Sequence, residues 1–163
     1  SSQFSYAQKF MSRNVDVDFI SETTLENIEA HNNQASALFD EATNEIVLQV
    51  PIRGFHFEKA LMEEHFNENY LESDEYPKAT LQGTVIRKDD NSDEVEVEGV
   101  ITSHGISLER SFSGLRSSID GNWVISSEFE VDAEDFGIKI PGLVRKQIAE
   151  NIVITVNASL NPR

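Results

Sequence analysis

Alternation with a period of two runs through most of this chain. Val15, Val17 and Phe19 are separated by Asp16 and Asp18. Val95, Val97, Gly99 and Ile101 interleave with Glu94, Glu96 and Glu98. Trp123, Ile125, Ser127, Phe129 and Val131 alternate in part with Ser126, Glu128, Glu130 and Asp132. Because successive side chains of a strand point to opposite faces, the pattern calls for strands that are dry on one face and wet on the other. That is the habit of antiparallel sheets. Further strands are predicted at about 29–39, 44–57, 78–87, 105–114 and 150–160. Phe4, Tyr6 and Phe10, at even spacing, suggest another short one near the start.

Polar turn sequences separate these runs. Asp40-Glu41-Ala42-Thr43-Asn44, the stretch Lys88 to Asp93, and Ile119-Asp120-Gly121-Asn122 suit hairpins. Strands joined in this way form a meander, and about eight of them allow closure into a barrel. Two interruptions read as helical. Leu61, Met62, His65 and Phe66 recur at helical spacing between Glu58 and about Asn69, and Leu143, Val144 and Ile148 follow Pro141. With no internal repeat or linker, residues 1–163 read as one domain.

The inward registers carry Phe19, Phe39, Ile46, Leu48, Phe55, Phe57, Leu81, Phe112, Trp123, Ile125, Phe129, Ile152 and Ile154. These side chains suit a solid sandwich core or the lining of a barrel of about eight strands, a size that either packs shut or admits one small ligand. Gly83 and Gly99 occupy inward positions of neighbouring strands. They either leave room inside or relieve strain at a bend.

Thirteen basic against twenty-nine acidic residues give a formal charge of −16, which repels phosphate backbones and makes nucleic acid an unsuitable partner. The chain has no cysteine, so disulfides, thiolate catalysis and zinc–cysteine sites are excluded. It opens Ser1-Ser2-Gln3 without an initiator Met, as a mature exported protein or a trimmed one would.

Residues spaced for catalysis or metal binding are few. His31, His56, His65 and His104 have no metal-ligand spacing, and Glu63-Glu64 beside His65 are expected to face solvent. Asp135-Phe136-Gly137 spells a kinase tripeptide, but the glycine-rich loop and catalytic loop that give it meaning are missing. Asp89, Asn91 and Asp93 alternate as in a calcium loop but lack its glycine and distal glutamate, so a solvated hairpin turn is expected. Asn157-Ala158-Ser159 fits a glycosylation triplet inside a predicted strand. No catalytic residues, cofactor or metal site are expected. Arg110 stands out because it shares an inward register with Leu108 and Phe112. A buried guanidinium needs acceptors. These are supplied by an internal carboxylate, by water at the strand's wet end, or by an anionic ligand head group.

The run Glu64-His65-Phe66-Asn67-Glu68-Asn69-Tyr70-Leu71-Glu72-Ser73, continuing through Tyr76-Pro77-Lys78-Ala79-Thr80-Leu81, resembles the YceI-like family of polyisoprenoid-binding proteins. Leu81 stands where that family usually has an aromatic residue. Val95 to Ile101 followed by Gly105-Ile106, Phe129-Glu130-Val131-Asp132 followed by Asp135-Phe136-Gly137-Ile138-Lys139, and the closing Asn151 to Val156 are similar to further family segments in the same order. Glu109 and Arg110 depart from it, since a proline often stands there.

The resemblance implies an all-β fold, an eight-stranded antiparallel lipocalin-like β-barrel with one or two short helices. It further implies a ligand such as a polyisoprenoid, an isoprenoid quinone or a fatty-acid-like lipid, and periplasmic or secreted location. The expected ligand-binding residues are Phe19, Phe39, Leu48, Phe55, Phe57, Leu61, Phe66, Leu81, Leu108, Arg110, Phe112, Trp123, Ile125, Phe129 and Ile154. Burying one five-carbon isoprene unit yields roughly 3–4 kcal/mol gross at about 0.8 kcal/mol per carbon, so such a site needs no polar motif. The main expectation is therefore non-catalytic lipid binding, transport or storage. The alternative is an interaction or stress-protective module with a packed, ligand-free barrel, and a lipid-processing enzyme is a third reading. A homodimer through an exposed strand edge or the barrel mouth is compatible with either of the first two.

Overall fold

The computed structural model describes residues 8–22, 27–139 and 151–163. Nine strands are present among them: β1 (Lys9–Glu22), β2 (Asn27–Asp40), β3 (Glu45–Pro51), β4 (His56–Phe57), β5 (Lys78–Arg87), β6 (Glu94–Ser103), β7 (Ile106–Ile119), β8 (Asn122–Asp132) and β9 (Asn151–Pro162). Every pairing is antiparallel. The ladder runs β1-β9-β8-β7-β6-β5-β3-β2, and β1 then pairs with β2, closing eight strands into an up-and-down barrel. The two-residue β4 lies outside that ring and pairs with β2 at Ala30 and His31.

Turn chemistry fixes the registers. Asp120 and Gly121, with φ of 52° and 80°, link Ile119 to Asn122. His104 and Gly105, at 52° and 76°, link Ser103 to Ile106. Two successive residues of positive φ make the hairpin turn whose twist matches that of the flanking strands. The strand predicted over 44–57 is broken: β3 ends at Pro51, a 3₁₀ turn covers Ile52–Gly54, and β4 resumes at His56. Pro51 has no N–H to continue a ladder, and Gly54 packs too closely on Asn32 for any larger residue.

The cover over one end is α1 (Ala60–His65), continued by a π-helical turn at Phe66–Tyr70, close to the predicted helix. The strand expected near the start lies largely outside the described residues, although Phe10 belongs to β1. The helix expected after Pro141 also lies outside them. Gly83 and Gly99 face each other across β5 and β6. A Cβ at either position would lie about 2.5 Å or less from a carbonyl of the other strand, so the two glycines permit a close approach of the strands rather than vacate space inside.

The other end of the barrel is shut. Phe10 and Phe39 each pack edge-to-face on Trp123, at 6.3 and 6.1 Å between ring centres. Val85, Val95 and Leu160 are fully buried in the same core. Each such apolar side chain contributes about 1.5–3 kcal/mol through burial. Arg116 completes this floor, with its guanidinium carbon 4.7 Å from the Trp123 ring centre and Nη1 donating to Asn44 Oδ1 at 3.0 Å.

Candidate functional site

Above that floor the barrel interior holds a cavity of about 230 Å³. The inward residues of every long strand contribute to it. Val17 and Phe19 come from β1, Ala37 from β2, Leu48 and Val50 from β3, and Leu81 from β5. Val97 and Ile101 come from β6, Phe112 from β7, Ile125 and Phe129 from β8, and Ile154, Val156 and Ala158 from β9. Among the described residues, no Asp, Glu, Lys, Arg or His lines it, and its polar groups are hydroxyls of serine, threonine and Tyr70. An engineered apolar cavity of about 150 Å³ holds a benzene molecule, so this one has room for a larger apolar group.

The upper part is roofed by aromatic rings. Phe19 packs on Phe55, Phe57 and Phe66 at 5.2–5.7 Å, and Phe57 and Phe66 lie 4.9 Å apart. Phe66 is delivered by the π-helical turn and is buried, whereas its neighbours on α1 are not. After β8 the chain makes a 3₁₀ turn at Ala133–Phe136, capped by the Asp132 carboxylate accepting from Glu134 N at 2.9 Å. Ala133, Phe136 and Ile138 are buried and also line the cavity.

Ten of the expected binding residues meet at this cavity: Phe19, Leu48, Phe55, Phe57, Phe66, Leu81, Phe112, Ile125, Phe129 and Ile154. Five do not. Phe39 and Trp123 face inward but form the shut floor, because alternation fixes the face of a residue and not its height in the barrel. Leu61 is 63% exposed on the outer side of α1. Leu108 packs behind the lining residues, on Ala133, Phe136 and Ile138, and does not itself line the cavity. Arg110 donates to Asp135 Oδ2 at 3.1 Å and to the Glu109 carbonyl at 2.9 Å, so its acceptors are a carboxylate and a carbonyl of the protein itself.

Sequence reasoning missed Phe136 and Ile138 as lining residues, and Arg116 as the buried guanidinium. Arg116 sits on the same even-numbered register of β7 as Arg110, which was the available signal. Burial pulls the Arg116 guanidinium below its ordinary range, and Arg87 adds to this; Glu41 and Asp93 oppose it.

The remaining candidates resolve into local contacts. His31 bonds to Asp18, His65 to Asn69, and His104 to Phe136 O and Glu72. Glu63 accepts from Phe57 N and faces His56 at 3.5 Å, tying α1 to β4 rather than facing solvent alone. In the Asp89–Glu94 loop, Arg87 takes the carbonyls of Asp90 and Ser92, and Asp89 accepts from Asn91 N. No group of side chains suited to a metal ion occurs among the described residues.

Against curated proteins the sequence has no match. Solved structures do match in shape. A polyisoprenoid binding domain from Saccharophagus degradans, implicated in plant cell wall breakdown, aligns with TM-score 0.80 at 11% identity, over 97% of this chain and 100% of that one. BcnA of Burkholderia cenocepacia aligns with TM-score 0.78 at 13% identity, over 90% and 95%. The Campylobacter jejuni YCEI protein aligns with TM-score 0.67 at 14% identity, over 88% and 90%. At such identities these likenesses speak to the fold. A family model described as the YceI-like domain matches residues 3–160, and the chain belongs to that family.

Proposed function

We propose that this protein binds a polyisoprenoid or similar long-chain amphiphilic lipid inside the barrel, to carry or store it without chemical change. The observation that carries this reading is the cavity itself, walled by aliphatic and aromatic side chains and free of charged ones among the described residues. A chain of isoprene units gains about 0.8 kcal/mol for each carbon it buries there, which outweighs the cost of association once several units are enclosed. The Saccharophagus degradans neighbour is described as a polyisoprenoid binding domain, in agreement with this reading. A packed barrel serving only as an interaction or stress-protective module requires a filled interior, and the 230 Å³ cavity argues against it.

Native mass spectrometry and solvent extraction of the purified protein test the proposal. A co-purifying amphiphile, or uptake of added isoprenoid, is the expected result. A preparation that carries nothing and ignores added isoprenoids contradicts it. The same spectra read the oligomeric state and so decide whether a homodimer forms. The reading extends to an exported protein, periplasmic or secreted, which cell fractionation tests.

A further inference from the structure

The barrel wall is not uniformly sealed. β7 stays paired with β6 up to Ile106, and β8 stays paired with β9 up to Asp132. Between β7 and β8, however, the ladder stops at Gly114 and Ser127, halfway up both strands. Above that rung the two strands no longer pair as a ladder. The Ser127 hydroxyl donates to the Ser113 carbonyl at 2.6 Å, and Arg110 donates to the Glu109 carbonyl, so side chains occupy acceptors at the split.

Among the described residues, what closes the split is side-chain packing. The Phe112 and Phe129 rings stack across it at 4.1 Å and 16°. Higher up, the 133–138 segment packs Phe136 and Ile138 beside Ile106 and Leu108. Polar links also hold that segment down, among them Arg110 to Asp135 and His104 Nδ1 to the Phe136 carbonyl at 3.0 Å. The β2–β3 ladder also stops short, at Ser36 and Gln49, but β4 pairs with β2 further along, at Ala30 and His31, and Asn32 donates to Pro51 O between them.

We infer that the split between β7 and β8 is the passage by which an apolar chain enters and leaves the cavity, and that residues 133–138 are its movable cover. This rests on the lipid-binding reading above and adds to it a route. Parting any continuous ladder breaks a row of backbone hydrogen bonds together. Lifting the roof at α1 separates Phe66 from three other rings. Opening the split unstacks one ring pair and lifts Phe136 and Ile138 from Ile106 and Leu108, but it parts no continuous ladder, which makes it a less costly route through the wall than any paired seam.

The cysteine-free chain allows a direct test. Arg110→Cys/Asp135→Cys is joined with a reducible bismaleimide linker, pinning the cover to β7. Arg53→Cys/Asp74→Cys, joined in the same way, pins the roof through a pair that is also in contact. Release of dansyl-labelled farnesol from each loaded protein into phosphatidylcholine vesicles is then timed. The 110/135 link is expected to slow release about tenfold or more, reversibly on reduction, as a blocked gate does. The 53/74 link is expected to leave it within about twofold, since the roof stays put. Asp135→Asn, which needs no linker, should speed release.

Slowing by the 53/74 link alone, equal slowing by both links, or no effect of either overturns the passage. So does an Asp135→Asn rate equal to that of the unaltered protein. If the unlinked protein takes up no dansyl-farnesol, the lipid-binding reading itself fails and the passage with it.

Discussion

Arg116 lies with its guanidinium carbon 4.7 Å from the centre of the Trp123 ring, a cation seated on an aromatic face at the shut end of an otherwise apolar barrel. The residue is only 9% exposed and is steadied by Asn44 Oδ1. It lies outside the cavity lining, so its contribution is to stability. Arg116→Ala is expected to cost about 2–3 kcal/mol, combining lost packing with the lost cation–ring contact. Arg116→Met, which keeps the stem, should cost less. Urea unfolding measures both; lipid uptake by either folded variant should match that of the unaltered protein.

Ala37 and Ala158, one inward position above Phe39 and Leu160 of the floor, keep the lower end of the cavity wide, since both are buried and both line it. Ala158→Phe places a ring where a ligand chain would run. Isoprenoid affinity is expected to fall about tenfold or more, because the ring displaces buried ligand carbons. The melting temperature should hold or rise if the ring fills open space. Binding titrations with calorimetric melting separate the two effects, and unchanged affinity would place the ligand elsewhere.

His104 joins three parts of the upper barrel. Its ring meets the Phe136 carbonyl and Glu72 Oε1 at 3.0 and 3.3 Å, and packs on Tyr76 at 4.8 Å. It also holds a positive φ of 52° in a two-residue turn. His104→Asn keeps the turn, since Asn tolerates that conformation, but removes the ring. The Gly137 and Ile138 amides, bonded within the 133–138 segment, should exchange about fivefold faster for the loss of roughly 1 kcal/mol, with global stability little changed. Hydrogen exchange by NMR reads this.

Glu96, on the outer face of β6, accepts from the Ser111 hydroxyl at 2.6 Å. That bond holds its carboxyl below the ordinary carboxylate range, with Lys88 and Ser113 assisting and partial desolvation opposing. The folded value lies under the unfolded one. Any stability from this pair is therefore present above the unfolded value and lost as pH falls through the folded value. Ser111→Ala should move the Glu96 titration upward, followed by carbon-detected NMR; an unmoved titration contradicts the assignment.

The strands were legible because one face of each is wet: Glu94, Glu96 and Glu98 mark β6, and Glu128 and Glu130 mark β8. The break at Ile52–Gly54 was also signalled, by Pro51 and Gly54, but the apolar residues on both sides masked it. Height in the barrel was not legible. Phe39 and Phe112 obey the same alternation, yet one shuts the floor and the other lines the cavity, because pairing register with distant strands decides that. Leu61 was misplaced because helical spacing allows more than one inward face on a six-residue helix, and the π-helical turn that follows delivers Phe66 instead. The split above Gly114 left no mark in the pattern, since β7 and β8 keep alternating after their ladder ends.

The central claim is that the barrel interior stays open for an apolar chain. A crystal structure of the protein as purified, with electron density traced between Phe19, Ile125 and Phe129, tests it most directly. Continuous elongated density belonging to no residue of the protein is the expected result. An interior closed by the protein's own side chains, with no space left above the Trp123 floor, would contradict it.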